Sequence, residues 1–140
     1  MSERLVVHVD GGARGNPGPA AIAAVLSNPE GDVVEEHAEA IGHATNNVAE
    51  YRALLLGIDR ARALGARELD IVGDSELIVR QVRGEYRVKD PTLRELHALV
   101  AAALGGFDRW TIRNVPRADN ARADGLVNEA LDGRIDKKEA

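Results

Sequence analysis

Residues 5–41 have the sequence LVVHVDGGARGNPGPAAIAAVLSNPEGDVVEEHAEAI, in which short apolar runs alternate with segments rich in glycine and proline. The β-branched run Leu5–Asp10 predicts a strand that ends at two glycines, followed by a loop that continues to Pro19. Two further strands are predicted at Ala20–Ser27 and Val33–Ile41, joined by the turn-forming segment 28–31. We therefore expect the chain to begin with an antiparallel meander of three strands.

After this meander the spacing of apolar residues changes from that of strands to that of helices. The segment from Asn47 to Leu64 has the periodicity of an amphipathic helix, and Gly65 ends it. The remaining predicted elements are a strand over Glu68–Gly73, a helix from Ser75 to about Arg83, a helix over Pro91–Leu104, a strand over Trp110–Val115 and a helix over Asn120–Leu131. This order predicts an α/β fold in which helices flank a mixed sheet.

The composition is that of one ordinary globular domain: the chain has 140 residues, of which 44% are hydrophobic and 29% are charged. We expect this domain over residues 1–131 and a charged, disordered tail over residues 132–140. The absence of cysteine excludes disulfides, thiolate zinc sites and a cysteine nucleophile. The first apolar segment is too short for a signal sequence or a membrane span, so we expect a cytoplasmic protein with no membrane partner.

Charge is distributed unevenly along the chain, whose net charge is −5. Residues 1–50 carry two basic and eight acidic side chains, whereas Leu77–Arg122 carry nine basic and five acidic side chains. The second stretch could face a polyanion, although an arginine-rich composition can also result from codon bias. Only 3% of the residues are aromatic, which argues against a surface that binds nucleic acid by stacking.

Four acidic residues lie where a predicted strand ends or a predicted helix begins: Asp10, Glu50, Asp74 and Asp124. In open α/β sheets the carboxyl ends of the strands face a common crevice, so these side chains can converge there. Convergent carboxylates repel one another and must either take up protons or be held together by a cation. A ligand set made only of oxygen atoms favours Mg²⁺ or Mn²⁺ over zinc.

Each carboxylate also has a structural explanation. Asp10 precedes two glycines and can be a turn residue, and Asp74 can cap the helix that follows it. Glu50 can form a capping box with Asn47, but it adjoins a helix face of small and apolar residues, where a solvated carboxylate is unusual. The joint occurrence of the four acids favours a metal site over four separate structural roles.

The glycine-rich segment 11–19, GGARGNPGP, matches neither of two known nucleotide-binding loops. It lacks the Lys followed by Ser or Thr of a P-loop, and its glycine spacing differs from the dinucleotide-binding pattern. It is therefore either a connecting loop or a set of backbone N–H groups that lie along a nucleic-acid strand. The four histidines have neither the spacing of a metal-binding helix nor an evident nucleophile partner.

Four segments together resemble one family: DGGARGNPGPA from Asp10, TNNVAEYRALL from Thr45, GDS over Gly73–Ser75 and NARADGL from Asn120. The chain resembles a type 1 ribonuclease H, in the compact variant found in archaea and actinobacteria. The resemblance implies a ribonuclease H-like fold, with a five-stranded mixed sheet whose first three strands are antiparallel. It also implies a metal-dependent endonuclease that cuts the RNA strand of RNA/DNA hybrids, leaving 5′-phosphate and 3′-hydroxyl ends.

The resemblance assigns roles to individual residues by their positions in the motifs. The implied catalytic and metal-binding carboxylates are Asp10, Glu50, Asp74 and Asp124, which hold two Mg²⁺ ions when substrate is bound, with Mn²⁺ as a substitute. In such a mechanism one ion activates the attacking water and the other stabilises the leaving 3′ oxygen. The implied substrate-binding residues are Gly12, Asn16, Thr45, Asn46, Asn47, Ser75 and Arg117.

The chain departs from the family pattern in two places. Many members have a histidine in a loop before the last helix, but residues 115–119 here read VPRAD, so Arg117 is the candidate substitute as a phosphate contact. The lysine-rich helical protrusion of other members is reduced here to Arg83–Lys89, and we expect a monomer with a modest grip on its substrate. Two other functions stay open at this stage: activity extended to double-stranded RNA, and a catalytically silent module that binds nucleic acid.

Overall fold

The computed structural model describes residues 3–133 of the chain. The strands are β1 (Arg4–Ala13), β2 (Gly18–Ser27), β3 (Val33–Ala44), β4 (Glu68–Gly73) and β5 (Arg109–Asn114). The helices are α1 (Asn46–Ala63), α2 (Glu76–Val82), α3 (Pro91–Leu104) and α4 (Ala121–Leu131), and a 3₁₀ turn at Arg117–Asn120 precedes α4. The predicted disordered tail lies outside the described residues from position 134 onward, so its disorder stays a prediction.

The five strands form one mixed sheet in the order β3-β2-β1-β4-β5. β1, β2 and β3 pair antiparallel, whereas β4 is parallel to β1 and β5 is parallel to β4. This topology confirms the α/β class and the antiparallel meander. It also brings the carboxyl ends of β1 and β4 to the same edge of the sheet, next to the start of α1.

The predicted ends of the first and third strands were wrong, and β3 continues past Ile41 to Ala44. β1 does not end at Asp10 but continues through the two glycines to Ala13, which leaves only residues 14–17 as a loop. The reason is pairing with the second strand, because Gly11 lies opposite Ile22 and Gly12 lies opposite Ala21. Backbone pairing with a neighbouring strand therefore outweighs the weak strand preference of glycine.

The core lies on both faces of the sheet, and β2 contributes to each of them. Its alternate residues from Ala20 to Leu26 pack on the side of α1, and the intervening residues from Ala21 to Val25 pack against α4. The burial of a side chain such as Leu26 stabilises the fold by about 1.5–3 kcal/mol relative to exposure. Within residues 3–133, no helix is both long enough and apolar enough to cross a membrane.

The helix α1 lies unusually close to β1 because each element has a glycine at the contact. Gly11 of β1 faces α1, and Gly57 of α1 faces β1. A Cβ atom built on Gly11 would be 2.2 Å from the Ala49 carbonyl oxygen, and one built on Gly57 would be 2.9 Å from Val9 Cγ1. No side chain fits at the first of these points. The contact brings the first turn of α1 directly over the end of β1 and so determines where Glu50 lies.

Candidate active site

The four predicted acidic residues line one cleft of about 420 Å³. Asp10 lies on β1, Glu50 near the start of α1, Asp74 directly after β4, and Asp124 in the first turn of α4. The fold thus brings together side chains from distant parts of the chain, as the sequence predicts. Their role as metal ligands stays a prediction.

Three of the acids form a tight group. One carboxylate oxygen each from Asp10, Glu50 and Asp74 lies within 4.8 Å of the other two. Asp124 is outside this group of three, but it lines the same cleft and its negative charge contributes to the raised pKa of Asp10.

Burial and mutual repulsion change the proton affinity of the group. Burial raises the pKa of Asp10 to about 7, and the negative charges of Asp74 and Asp124 add to the effect. Burial also raises the pKa of Glu50 well above its usual value, with Asp10 and Asp74 contributing. The pKa of Asp74 is raised by burial as well, although the positive charge of Arg117 opposes the shift. The metal-free site therefore holds protons at a pH where ordinary carboxylates have lost them.

The residues present fit a hard divalent cation. The Oδ2 atom of Asp74 is buried and has no hydrogen-bond partner among the described residues. The Nε atom of Arg117 is 3.8 Å away, which is too far for a hydrogen bond. A buried carboxylate oxygen without a partner is costly, and a cation bound by the surrounding oxygen atoms would remove that cost.

The capping roles that were open for two of the acids belong to neighbouring residues. The Ser75 hydroxyl, and not Asp74, accepts a hydrogen bond from the backbone N–H of Ile78 at the start of α2. At the start of α1, the Thr45 hydroxyl accepts from the backbone N–H of Val48. Glu50 and Asp74 are therefore not helix caps, which leaves their convergence without a local structural explanation.

A family model described as "Reverse transcriptase-like" matches residues 8–130. The chain belongs to the reverse transcriptase-like family. Ribonuclease HI of Halobacterium salinarum is 46% identical over 129 residues, which cover 92% of this chain. The bifunctional protein Rv2228c of Mycobacterium tuberculosis is 46% identical over 130 residues, which also cover 92% of this chain. The chain spans 65% of the length of the first relative and 36% of the length of the second.

Solved structures place this reverse transcriptase-like chain in the ribonuclease H fold. The crystal structure of RNase H1 from Halobacterium salinarum superposes with a TM-score of 0.91 at 45% identity, covering 93% of this chain and 98% of that one. LC11-RNase H1, from a compost metagenome and solved in complex with an RNA/DNA hybrid, has a TM-score of 0.88 at 43% identity and covers 92% of this chain and 97% of that one. These matches confirm the predicted family and the predicted fold.

The predicted substrate-binding residues of the reverse transcriptase-like chain divide into two groups. Those that line the cleft beside the acids are Gly12, Asn46, Ser75 and Arg117. The others, Asn16, Thr45 and Asn47, are not among the residues that line it. Asn16 is nevertheless tied to the cleft wall, because its Oδ1 accepts a hydrogen bond of 3.0 Å from the backbone N–H of Asn46. The Asn46 Oδ1 in turn accepts from the backbone N–H of Ala13 at 2.8 Å, which joins the end of β1 to the start of α1.

Sequence reasoning missed the part played by Asn120. Its side chain is 1% exposed, and its Nδ2 donates a hydrogen bond of 2.9 Å to the carbonyl oxygen of Val9. Asn120 also lies against Asp74, and it precedes the helix that carries Asp124. One amide side chain therefore links β1, which carries Asp10, to the start of the helix that carries Asp124. The available signal was its position at the start of the NARADGL segment.

Proposed function

We propose that the protein is a metal-dependent endonuclease that hydrolyses the RNA strand of RNA/DNA hybrids, with its catalytic domain over residues 1–131. The observation that carries the proposal is the carboxylate group of Asp10, Glu50 and Asp74, which fits a divalent cation and lines an open cleft. The family membership and the likeness to an RNase H1 solved in complex with an RNA/DNA hybrid support the same substrate.

The role that we propose for the four acids is metal binding. Asp10, Glu50 and Asp74 would bind Mg²⁺, with Asp124 beside them, and Mn²⁺ would substitute because it prefers the same oxygen ligands. Bound divalent ions supply activation of a water nucleophile and stabilisation of the leaving oxygen. Asn120 keeps β1 and α4 at the spacing that the acids need, through its bond to the Val9 carbonyl oxygen.

Neutral donors at the cleft margin would recognise the RNA strand by its 2′-hydroxyl groups, which duplex DNA lacks. The Oδ1 atoms of Asn16 and Asn46 are used within the protein. Their bonds orient the two side chains so that the amide nitrogens remain to donate to a substrate. Gly12 and Ser75 line the same cleft. We assign Thr45 and Asn47 to the same margin, on the motif resemblance alone.

Arg117 would contact a phosphate group close to the reacting one. Its side chain is 77% exposed, lines the cleft and lies 3.8 Å from Asp74. An arginine stays protonated throughout the neutral pH range, so it can bind and stabilise a phosphate but cannot shuttle a proton. Arg117 would therefore supply the electrostatic stabilisation that the loop histidine gives in other members, but it would not transfer a proton.

The test compares three Asp→Asn variants in the cleavage of a labelled RNA/DNA hybrid with Mg²⁺. Asp10→Asn and Asp74→Asn are expected to lose hydrolysis, because each removes a charge that holds the ion. Asp70→Asn is the matched control: Asp70 lies on β4 but outside the cleft, where it pairs with Arg4 at 2.6 Å. Retention of substantial activity in either cleft variant, or equal losses in all three, would contradict the assignment.

A further inference from the structure

Arg14 lines the same cleft as the four acids. Asp10 lies within β1, whereas Arg14 is the first residue of the loop that follows β1, four positions further along the chain. Four residues of strand span about 13 Å. Arg14 therefore enters the cleft from beyond the end of β1, and we expect it to contact a different part of a bound nucleic-acid strand than Asp10 does.

The distribution of charge in the cleft gives Arg14 its significance. Among the described residues that line the cleft, the cations are Arg14 and Arg117, against four carboxylates. Arg117 lies near Asp74 and offsets part of that negative charge. A polyanionic strand that extends beyond the acids needs a positive contact of its own, since the chain as a whole carries a net charge of −5.

Contacts with the end of α4 orient the Arg14 side chain without using all of its donors. Its Nη1 atom donates to Asp132 at 2.7 Å, and its Nη2 atom makes longer contacts of 3.4 and 3.5 Å with Asn128. The Nε–H group has no acceptor among the described residues, and the side chain is 48% exposed. The guanidinium is thus held in place with donors left for a phosphate.

We propose that Arg14 binds a backbone phosphate flanking the one that is cleaved, and so extends the binding site along the nucleic-acid strand. The inference rests on the proposed function, since it assumes that a nucleic-acid strand occupies the cleft. Arg14 contributes to substrate affinity and leaves the chemical step unchanged. Asp132 and Asn128 act as positioning residues for its guanidinium.

The test measures binding of a fluorescent RNA/DNA hybrid by anisotropy as a function of KCl, in an Asp10→Asn background with Ca²⁺. Arg14→Gln is expected to weaken binding by about tenfold and to reduce the slope of log affinity against log salt by about 0.7–0.9, as for one lost phosphate contact. Arg14→Lys keeps the charge and should retain most of the slope. With Asp10 intact and Mg²⁺ present, Arg14→Gln should raise KM and leave kcat unchanged.

Arg67→Gln is the matched control. Arg67 is also an exposed arginine paired with an aspartate, Asp108 at 2.9 Å, but it precedes β4 at the end of the sheet away from the cleft. Its loss changes the net charge equally, so it should leave the salt slope unaltered. Asp132→Asn separates binding from structure: its amide oxygen can still accept a hydrogen bond from Arg14 Nη1 while the negative charge is removed, so this variant should bind hybrid at least as tightly as the parent.

Three outcomes would overturn the inference. If Arg14→Gln behaves like Arg67→Gln while the parent cleaves hybrid, Arg14 does not contact the substrate although the proposed function stands. If Asp132→Asn weakens binding as much as Arg14→Gln does, Arg14 acts only by holding α4 in place. If the parent neither binds nor cleaves hybrid, the proposed function itself is wrong. The melting temperatures of all variants would show which of them are folded. If Arg14→Gln does not fold, Arg14→Lys and Asp132→Asn still decide whether Arg14 contacts the substrate.

Discussion

Removal of one acid from the candidate site should make the metal-free protein more stable. Asp10→Asn keeps the size of the side chain and removes a charge that is 6% exposed and surrounded by other carboxylates. A turn or capping role predicts the opposite result. An aspartate in such a role contributes favourably to stability, so its replacement by asparagine costs little or destabilises the fold. The sign of the change therefore distinguishes a metal site from a structural one.

The size of this stability difference follows from the pKa of Asp10, which is about 7 in the folded protein and has an ordinary value of 3.8. Between these two values the folded state binds more protons than the unfolded state, so the stability of the metal-free protein falls as the pH rises from about 4 to about 7. The loss reaches at most about 4 kcal/mol above pH 7, at about 1.4 kcal/mol for each tenfold change in proton affinity. For a domain of this size, that corresponds to a melting temperature lower by on the order of 10 °C.

Calorimetry of the parent and the variant in chelator, at pH 5 and pH 8, measures the effect. Asp10→Asn should melt higher than the parent at pH 8, and the difference should shrink at pH 5 because the parent carboxyl group is then protonated. Saturating Mg²⁺ at pH 8 should raise the melting temperature of the parent more than that of the variant, because only an ion bound to the folded state stabilises it.

Asp70→Asn is a control for which we expect the opposite change in melting temperature. Burial alone would raise the pKa of Asp70, but hydrogen bonds from Thr111 and Arg4 outweigh burial and hold that pKa below its usual value. This carboxylate stabilises the fold above its unfolded pKa, and the contribution is lost as the pH falls. Asp70→Asn should therefore melt lower than the parent at pH 8. A metal-free Asp10→Asn variant that also melts lower at pH 8, with no Mg²⁺ shift in the parent, would refute the reasoning.

Three further predictions concern the elements around the site. Gly11→Ala should lower the free energy of unfolding in urea by about 3 kcal/mol or more, because its Cβ would be 2.2 Å from the Ala49 carbonyl oxygen, whereas Gly12→Ala, whose nearest neighbour is at 3.9 Å, should be tolerated. Asn120→Ala should cost about 1–3 kcal/mol in calorimetry by leaving the Val9 carbonyl oxygen unpaired, and should weaken Mg²⁺ binding; unchanged Mg²⁺ affinity would rule out its positioning role. Arg117→Ala should slow hybrid cleavage by about tenfold, which is a smaller decrease than the removal of a buried transition-state donor causes. A rate equal to that of the parent would count against a phosphate contact.

The acids could be predicted from the sequence because their positions depend on local features. Asp10 and Asp74 each follow a β-branched run, and Glu50 lies in the first part of a strongly periodic helix. Parallel pairing of β1 with β4 then brings their ends together, as α/β topology requires. The strand order β3-β2-β1-β4-β5 was not predicted, because periodicity does not determine it and the family resemblance implied only a five-stranded mixed sheet whose first three strands are antiparallel.

The features that were missed depend on contacts between distant residues. The continuation of β1 through Gly11 and Gly12 follows from pairing with β2 and from the close approach of α1, neither of which glycine indicates by itself. The bond from Asn120 to the Val9 carbonyl oxygen joins residues 111 positions apart. Arg14 was inconspicuous because its place in the cleft becomes visible only when β1 extends beyond Asp10.

The central claim is tested most directly by the incubation of the protein with an RNA/DNA hybrid whose RNA strand is end-labelled, beside matched RNA/RNA and DNA/DNA duplexes, with Mg²⁺ or with chelator. We expect internal cuts in the RNA of the hybrid, with 5′-phosphate ends, only when Mg²⁺ is present, and an intact DNA duplex. Cuts in the RNA duplex as well would extend the substrate to double-stranded RNA. An RNA strand that stays intact in the hybrid with Mg²⁺, or is cut equally well in chelator, would contradict the proposed function.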